Sequence, residues 1–466
     1  VSILGANSVS GGYEVSNSLR FNDDDGPSLQ RTPSSAGNRA VWTWSAWLKI
    51  NPLGTLNLFT AGGWSAGQDG TGLALINGQF YSYWNTPSSP TISSALFRDP
   101  SAWYHVVLQA NTSTLKVFVN GVEHSSKSIS GDGAINNTNE MVMGRYSNTT
   151  GGNMDGYMTE INFVDGTAKA ATDFGEYNDD NVWIPKKYTG SYGTNGFFLQ
   201  FKQTGTSQNS SGIGADTSGQ DNHFAVTNLA ATDVTEDTCT NNFATFNPLF
   251  RSRFDNDGTF LEGNCQRDFT DNANRGYGMS TLGVTSGKWY WEIKVIGSDV
   301  SRIGLGVGYD GLSDFTDPFY DNNPSLGMHF YSSGSVSANG STQSYGSSSN
   351  ENDIFMYALD MDNHLIWLGK NGSWFNSATV TEIQNSTATN DITTKLSSQT
   401  FLNSGEPVFP MVNDLSTTGA SQFQINFGNP PFSISSGNTD GKYGNFEYAP
   451  PSGYYALCTK RLAEFG

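Results

Sequence analysis

Residues 41–50 read VWTWSAWLKI and place three tryptophans, Trp42, Trp44 and Trp47, within six positions. Side chains along a β-strand alternate between its two faces, so a strand here sends Trp42 and Trp44 to one face and Trp47 to the other. A single sugar-stacking surface built from all three rings is therefore excluded. We expect the motif to be a core strand of a β-sandwich and expect ligand-contacting aromatics to lie in loops.

The same alternation recurs in the second half of the chain. Residues 288–295 read KWYWEIKV, which puts Trp289 and Trp291 together on one face. One buried face is typical of an antiparallel sheet. Two stretches, LKVFVNGVEH (115–124) and WLGKNGSWF (367–375), each turn at an Asn-Gly pair, which supplies the positive φ angles of a tight hairpin.

The composition favours the same fold class. Charged residues make up 14% of the 466 residues and aromatic residues 13%, whereas an average domain is about 25% charged. Such a chain cannot sustain long amphipathic helices but suits strands joined by polar turns. We predict an all-β protein with two antiparallel β-sandwiches in tandem, joined by an irregular linker.

The predicted organisation has four parts. An N-terminal arm covers residues 1–17, and a first sandwich covers 18–203. Residues 204–250, dense in Gly and Ser, are predicted to be an irregular linker. A second sandwich covers 251–466.

Charge and cysteine usage limit the partners. The formal net charge is -19, with 43 acidic against 24 basic residues and no basic cluster, so we expect no nucleic-acid partner. The first twelve residues, VSILGANSVSGG, do not resemble a secretory signal, and no apolar run could span a bilayer. We expect synthesis in a cytosol, no membrane insertion, and three free thiols at Cys239, Cys265 and Cys458.

Catalytic patterns are missing from the sequence. Glycoside hydrolases need two carboxylates, and the spacing Glu-x-Asp-x-x-Glu, which places them on one strand, does not occur. Glu160 and Glu292 each stand alone on a strand and are interpreted as solvent-face charges. No two of the five histidines have the i,i+4 spacing of a helical metal site, and His105 is interpreted as a packed structural residue. We expect no enzymatic activity.

Candidate ligand residues lie in stretches that resemble loops. Trp64, Tyr83 and Trp84 are the predicted glycan-contacting aromatics, with closure of the core edges as the alternative. The acidic turns DNDG (255–258) and DMDN (360–363) offer oxygen ligands for Ca²⁺ but are also ordinary hairpin turns. The run Asp23–Asp25 is interpreted as a solvated turn, so the metal ligands stay unknown.

Three motifs in family order resemble a laminin-G-like, concanavalin-A-like jelly-roll domain over residues 18–203. They are WTWSAWLKI, WYHVVLQANTSTLKVFVNGVEH and MDGYMTEINFV. GKWYWEIKV, FMYALDMDNHLIWLGKNGSW and INFG resemble a SPRY domain, another concanavalin-A-like sandwich, over residues 251–460. The first resemblance implies calcium at one rim in many members, so Ca²⁺ is the one cofactor left open, and no other is expected.

The pairing of the two domains resembles virion proteins of marine bacteriophages, including tail-fibre-like proteins. This resemblance implies a protein made in the host cytoplasm and exposed on the particle surface, where it binds a host-surface glycan or receptor. Its other partners would be virion proteins and its own copies, with a trimer expected for a fibre. The alternative is a capsid-decorating or other structural protein, and a glycan-cleaving depolymerase is less favoured because the carboxylate pair is missing.

Overall fold

The computed structural model describes residues 12–51, 54–64, 69–86, 88–147, 151–250, 258–269, 276–297, 302–307, 327–338, 341–397, 400–414 and 421–466. These residues form two compact units, with the boundary between Asn242 and Phe243. Both units are built mainly of antiparallel strands, which confirms the predicted all-β class. Three short helices occur in the described part of the chain, and none of them is long and apolar enough to cross a membrane.

The strands of the N-terminal unit are β1 Ser18–Phe21, β2 Ser28–Arg31, β3 Val41–Ile50, β4 Thr55–Ala61, β5 Thr71–Ile76, β6 Gln79–Tyr83, β7 Thr91–Ile92, β8 Trp103–Asn111, β9 Thr114–Val119, β10 Val122–Ser128, β11 Met141–Met143, β12 Gly156–Asp165, β13 Gly175–Tyr177, β14 Trp183–Pro185, β15 Phe197–Leu199, β16 Ala225–Thr227 and β17 Val234–Thr235. The first sheet has the order β10-β9-β8-β3-β12-β1-β17, with β15 paired to β12. The second has the order β16-β2-β11-β4-β5-β6-β7, and β13 and β14 form a separate pair.

The tryptophan strand β3 lies in the middle of the first sheet and separates two hydrophobic layers. Trp42 and Trp44 belong to the core between the sheets, where Trp44 stacks on Phe59 with ring centroids 5.6 Å apart. Trp47 faces the other way, into a second buried layer that also contains Trp183. The predicted alternation is confirmed, and all three rings are buried.

Residues 204–242, predicted to be part of a linker, pack into the N-terminal unit. Strand β16 pairs with β2, and β17 pairs with β1. Ile213 and Phe224 are fully buried in the core. The Nζ atom of Lys49 on β3 lies 2.8 Å from Oδ2 of Asp237, and both side chains are almost completely buried. This segment therefore closes the first sandwich.

The C-terminal unit contains β18 Gly258–Leu261, β19 Gln266–Phe269, β20 Gly276–Met279, β21 Lys288–Val295, β22 Arg302–Val307, β23 Gly327–Tyr331, β24 Ser335–Ala338, β25 Ser341–Ser344, β26 Ile354–Asp360, β27 Leu365–Lys370, β28 Ser373–Trp374, α1 Val380–Gln384, α2 Ile392–Lys395, β29 Val408–Asp414, β30 Gln422–Asn426, β31 Tyr455–Ala456 and α3 Thr459–Phe465. Its first sheet has the order β18-β19-β30-β21-β26-β27-β28, with β31 parallel to β21. Its second sheet has the order β20-β29-β22-β23-β24-β25. Residues of both sheets share one hydrophobic core.

The two units have the same topology. Strands β1 to β12 correspond one by one, in chain order and in sheet position, to β19 to β30. The order β10-β9-β8-β3-β12-β1 of the first unit becomes β28-β27-β26-β21-β30-β19 in the second. The chain is thus a tandem of two related sandwiches.

The two Asn-Gly hairpins have the same hydrogen bonds. Asn120 donates its backbone N–H to the carbonyl of His105 at 2.8 Å, and its Oδ1 accepts from the His105 N–H at 2.8 Å. Asn371 makes the same two bonds to Ile354, each at 2.9 Å. Both asparagines adopt positive φ angles, of 47° and 49°. The turns predicted from sequence are therefore equivalent elements of the two units.

Candidate functional site

Tyr83 and Trp84 are neighbours in sequence but face opposite sides of the second sheet of the N-terminal unit. Trp84 lies in the core and is 5% exposed. Its ring stacks on Trp42 at a centroid distance of 6.3 Å, and its Nε1–H donates to the Ser130 carbonyl at 3.2 Å. Gly133 packs against the Trp84 ring so closely that a Cβ atom there would lie 2.9 Å from it. The faces of Trp84 are therefore occupied, and only an edge reaches the surface.

Tyr83 lies next to Trp64 on the outer side of the same sheet. Their ring centroids are 5.0 Å apart, and Trp64 also contacts Tyr146 at 4.9 Å. The Nε1–H of the half-buried Trp64 donates to Ser147 Oγ at 2.8 Å. Burial raises the pKa of Tyr83 well above its ordinary value. The structure thus brings Trp64 and Tyr83 together and turns Trp84 away, while the ligand role of all three stays a prediction.

A cleft opens where the two sheets of the N-terminal unit leave an open edge. It is lined by residues that come after β6 in one sheet and by residues at the end of β10 in the other, and its volume is about 320 Å³. That volume is at the lower end of the range for ligand pockets. The residues that line it are Trp84, Asn85, Thr86, Ser89, Lys127, Ser128, Ile129 and Ser130. Hydroxyl and amide groups form most of this lining, with a small apolar floor of Trp84 and Ile129.

Hydrogen bonds at Asn85 hold the wall of the cleft in place. Its Nδ2 donates to the Asp132 carbonyl at 2.6 Å, and its Oδ1 accepts from Thr71 Oγ1 at 3.1 Å. Thr71 Oγ1 in turn accepts from the Ala134 N–H at 2.9 Å. Asn85 has a φ of 50°, a left-handed conformation that asparagine tolerates better than most residues. The cleft is therefore preformed, which lowers the entropic cost of binding.

Lys127 is the only charged side chain among the described residues that line the cleft. Its Nζ donates to the carbonyl of Ser89 on the opposite wall. Burial lowers the pKa of Lys127, because the charged form is less well solvated there. The rest of the lining is neutral and mostly polar.

Glu160 and Glu292 do not lie on solvent faces, and that interpretation was wrong. Glu160 is 6% exposed and Glu292 is fully buried. The physical reason is that further segments cover the outer face of the first sheet in each unit, so alternation on a strand does not lead to water. A single charged residue in an alternating strand pattern therefore does not identify a position that faces solvent.

Glu160 occupies a bulge of β12, where the pairing with β3 shifts between Thr159 and Asn162. Its φ of 50° is unusual for a non-glycine residue in a strand. Gln200 Nε2 donates to its Oε1 at 3.3 Å, and Tyr13 also hydrogen-bonds to it. Burial raises the pKa of Glu160 to about 7, against the partial opposition of these bonds.

Glu292 is held by four donors on the outer face of the first sheet of the C-terminal unit. The backbone N–H groups of Tyr448 and Glu447 donate at 2.7 and 3.1 Å. Asn426 Nδ2 and the Tyr290 hydroxyl donate at 3.0 and 3.1 Å. Burial raises its pKa to about 7, although the hydrogen bonds favour the charged form. The carboxyl group thus fixes a covering loop to the sheet.

His105 is a packed structural residue, as predicted. Its Nδ1 accepts from Trp183 Nε1 at 3.0 Å, which leaves Nε2 to donate to Ser45 Oγ at 2.9 Å. Complete burial lowers the pKa of His105 to about 3, so the ring is neutral. The three cysteines are buried, and none of them takes part in a disulfide bond.

The described residues contain no group of three or more His, Cys, Asp or Glu side chains placed to hold a metal ion. In the turn at 360–363, Asp360 is buried, lies 3.2 Å from Lys288 Nζ, and accepts from Ser386 Oγ at 2.6 Å. Asp23–Asp25 forms one turn of 3₁₀ helix. Of the turn at 255–258, residues 255–257 lie outside the described residues.

Comparisons with known proteins find one matching family model. It is described as the concanavalin A-like lectin/glucanases superfamily and matches residues 23–172. No curated protein matches the chain.

Solved structures provide further likenesses. The chain is similar to the SPRY domain of human HERC1, at 21% identity over 39% of this chain and 96% of that one, with a TM-score of 0.28. It is similar to a putative carbohydrate binding protein from Bacteroides ovatus, at 12% identity over 46% of this chain and 58% of that one, with a TM-score of 0.33. It is also similar to a heptameric SAP-like pentraxin from Limulus polyphemus, at 16% identity over 34% and 78%, with a TM-score of 0.28.

The matched residues 23–172 include β2 to β12, and thus the strands that carry the cleft. The chain therefore contains a concanavalin A-like jelly-roll domain.

Proposed function

We propose that this chain is a non-enzymatic virion surface protein of a bacteriophage, a tail fibre or related appendage that binds a glycan or receptor of the host surface. The observation that carries the binding role is the preformed cleft between the ends of β6 and β10. Its lining of hydroxyl and amide groups over a small apolar floor matches the alternation of polar and apolar surface on a sugar. The match of residues 23–172 to a superfamily of lectins and glucanases supports the same role.

The virion context rests on the likeness of the two-sandwich chain to phage particle proteins. Such a protein is made in the host cytoplasm and ends on the particle surface, beside other virion proteins. A small cleft of this kind binds weakly, but linked copies raise the overall affinity by about 100-fold or more. A homo-oligomer, with a trimer as the expected state of a fibre, would use this effect.

The cleft is tested by filling it from its rim. Ser89 is exposed and lines the cleft, so Ser89→Trp should block the cleft without disturbing the core. Ser88→Trp, at a neighbouring exposed position that does not line the cleft, is the matched control. We expect the full chain and the control to bind host cells and to compete with phage adsorption, and Ser89→Trp to do neither. Equal binding by both variants would contradict the assignment.

The place in the particle needs a separate measurement. Labelling of the chain on intact particles, viewed by electron microscopy, should mark the tail or its fibres. A label spread over the head would instead support a capsid-decorating protein. Release of new reducing ends from host polysaccharide would contradict the non-enzymatic assignment.

A further inference from the structure

Lys127 is directed into the cleft by its position on β10. Ser125 and Ile129, two residues to either side, are buried, whereas Ser126 and Ser128 are exposed. The stem of Lys127 therefore lies on the inner side of the strand, at the open edge of the sandwich. Its ammonium group reaches the Ser89 carbonyl, which holds it between the two walls. A lysine that served only solubility would extend its ammonium into water.

No carboxylate pairs with Lys127 within the described part of the chain. The acidic residues nearest to it along the sequence have other partners. Glu123 lies 2.8 Å from Lys116 Nζ, and Asp132 lies 3.7 Å from Arg39. The ammonium therefore has only a neutral oxygen as its partner, although the whole chain has a net charge of -19.

We infer that the cleft takes an anionic sugar residue, whose carboxylate or sulfate binds the Lys127 ammonium while its hydroxyl groups bond to the surrounding serine, threonine and asparagine side chains. This inference rests on the proposed function and specifies its ligand class. A charge-assisted hydrogen bond is about twice as strong as a neutral one. A neutral sugar in the same place would leave the partly buried ammonium without a counter-charge.

The net charge of the chain distinguishes binding at this site from general electrostatic attraction. A net charge of -19 repels acidic polymers at long range. Binding of such a polymer therefore requires a local positive group, and the effect of losing that group measures the contact directly. Substitution is a cleaner test than added salt, because salt screens the repulsion and the contact together.

The experiment measures binding of the full chain to three polymers by interferometry: alginate, dextran sulfate and unmodified dextran. We expect binding to alginate or dextran sulfate, and the comparison of the two identifies carboxylate or sulfate as the preferred group. Lys127→Met keeps the length of the side chain and should weaken that binding about tenfold or more. Lys127→Arg keeps the charge and should stay within about threefold of the unchanged chain. Circular dichroism confirms that both variants fold.

The outcomes separate the two proposals. Dextran bound as tightly as the charged polymers, or Lys127→Met binding as well as the unchanged chain, would overturn the anionic ligand. If Ser89→Trp still abolished binding in that case, the cleft would remain the glycan site. Failure to bind host cells and all three polymers would instead contradict the proposed function itself.

Discussion

The N-terminal and C-terminal sandwiches share their strand order but hold their covering segments by different means. In the first, the buried pair of Lys49 and Asp237 joins β3 to the segment that ends the unit. In the second, Glu292 on the corresponding strand β21 binds the backbone of Glu447 and Tyr448. Both units thus place a buried charge on the equivalent central strand and use it to fix an irregular segment.

This difference shows which parts of such a sandwich are general and which are specific. Alternating apolar residues and Asn-Gly turns produce the common strand order in both units. Buried polar groups determine which segment covers the outer face of the first sheet. A salt bridge needs one partner of opposite charge, whereas a lone carboxyl group needs several hydrogen-bond donors.

The largest expected effect tests whether the two tryptophan strands are equivalent. Trp44 pairs with Leu108, which lies three residues after His105, the residue that bonds to Asn120. Trp291 pairs with Tyr357, which lies three residues after Ile354, the residue that bonds to Asn371. Trp44→Ala and Trp291→Ala should each lower the free energy of unfolding of their own unit by about 3–5 kcal/mol, because each leaves a large cavity. Hydrogen exchange followed by mass spectrometry separates the two units. A loss of stability in the other unit, or a loss below about 1 kcal/mol, would contradict the equivalence of the two tryptophan strands.

A similar or smaller loss should follow from separating the ion pair that is specific to the first unit. Lys49→Met leaves the Asp237 carboxylate buried without its cation, which costs about 3 kcal/mol in comparable cases. Lys49→Met with Asp237→Leu removes both charges and should recover much of that loss. Urea unfolding monitors both variants, and a double variant no better than the single one would show that the pair does not act as a unit.

The third test uses pH and the raised pKa of Glu160. Its carboxyl group has a pKa of about 7 in the folded chain against 4.5 ordinarily, so the folded state binds more protons between these values. The free energy of unfolding of the N-terminal unit should therefore fall as pH rises from about 4.5 to 7. Glu160→Gln should flatten this slope in a series of urea titrations. The C-terminal unit is the internal control, because Glu292 gives it a slope of the same sign that this variant leaves unchanged.

The smallest effect concerns the shared turns. Asn120→Gly and Asn371→Gly keep the positive φ angle but remove the side-chain acceptor of the neighbouring strand's N–H. Each should destabilise its unit by about 1 kcal/mol, the ordinary contribution of one hydrogen bond. Thermal unfolding measures both variants. A loss of stability in only one unit would show that the two turns contribute differently to stability in spite of their matching geometry.

Much of the fold followed from local patterns in the sequence. The alternation in VWTWSAWLKI, the Asn-Gly turns and the packed His105 were all correctly predicted, because each depends on neighbours along one strand or hairpin. The buried positions of Glu160 and Glu292 were missed, because they depend on segments far away in sequence that cover the sheet. The packing of 204–242 was missed for the same reason, since Gly and Ser make a tightly packed segment look like a linker.

The candidate site was only partly predictable. Trp84 was among the predicted ligand residues, and its edge does line the cleft. The alternation of side chains along a strand, however, already implied that Tyr83 and Trp84 could not share one surface. Lys127 was missed, although its place in the alternation of β10 is visible in the sequence. What the sequence could not supply was the opposite wall, because the approach of Ser89 to Lys127 depends on how the two sheets meet.

The pairing of a late strand with the first strand has a consequence for folding during synthesis. In the N-terminal unit, β17 pairs with β1, and Ser18 Oγ accepts from or donates to Thr235 Oγ1 across 217 positions. The early strands therefore leave the ribosome long before the segment that protects their edges. Contacts this distant in sequence slow folding, and unpaired edges favour aggregation. A nascent chain stopped before Asn242 should need chaperone protection, which makes translation beyond this point a condition for a soluble first sandwich.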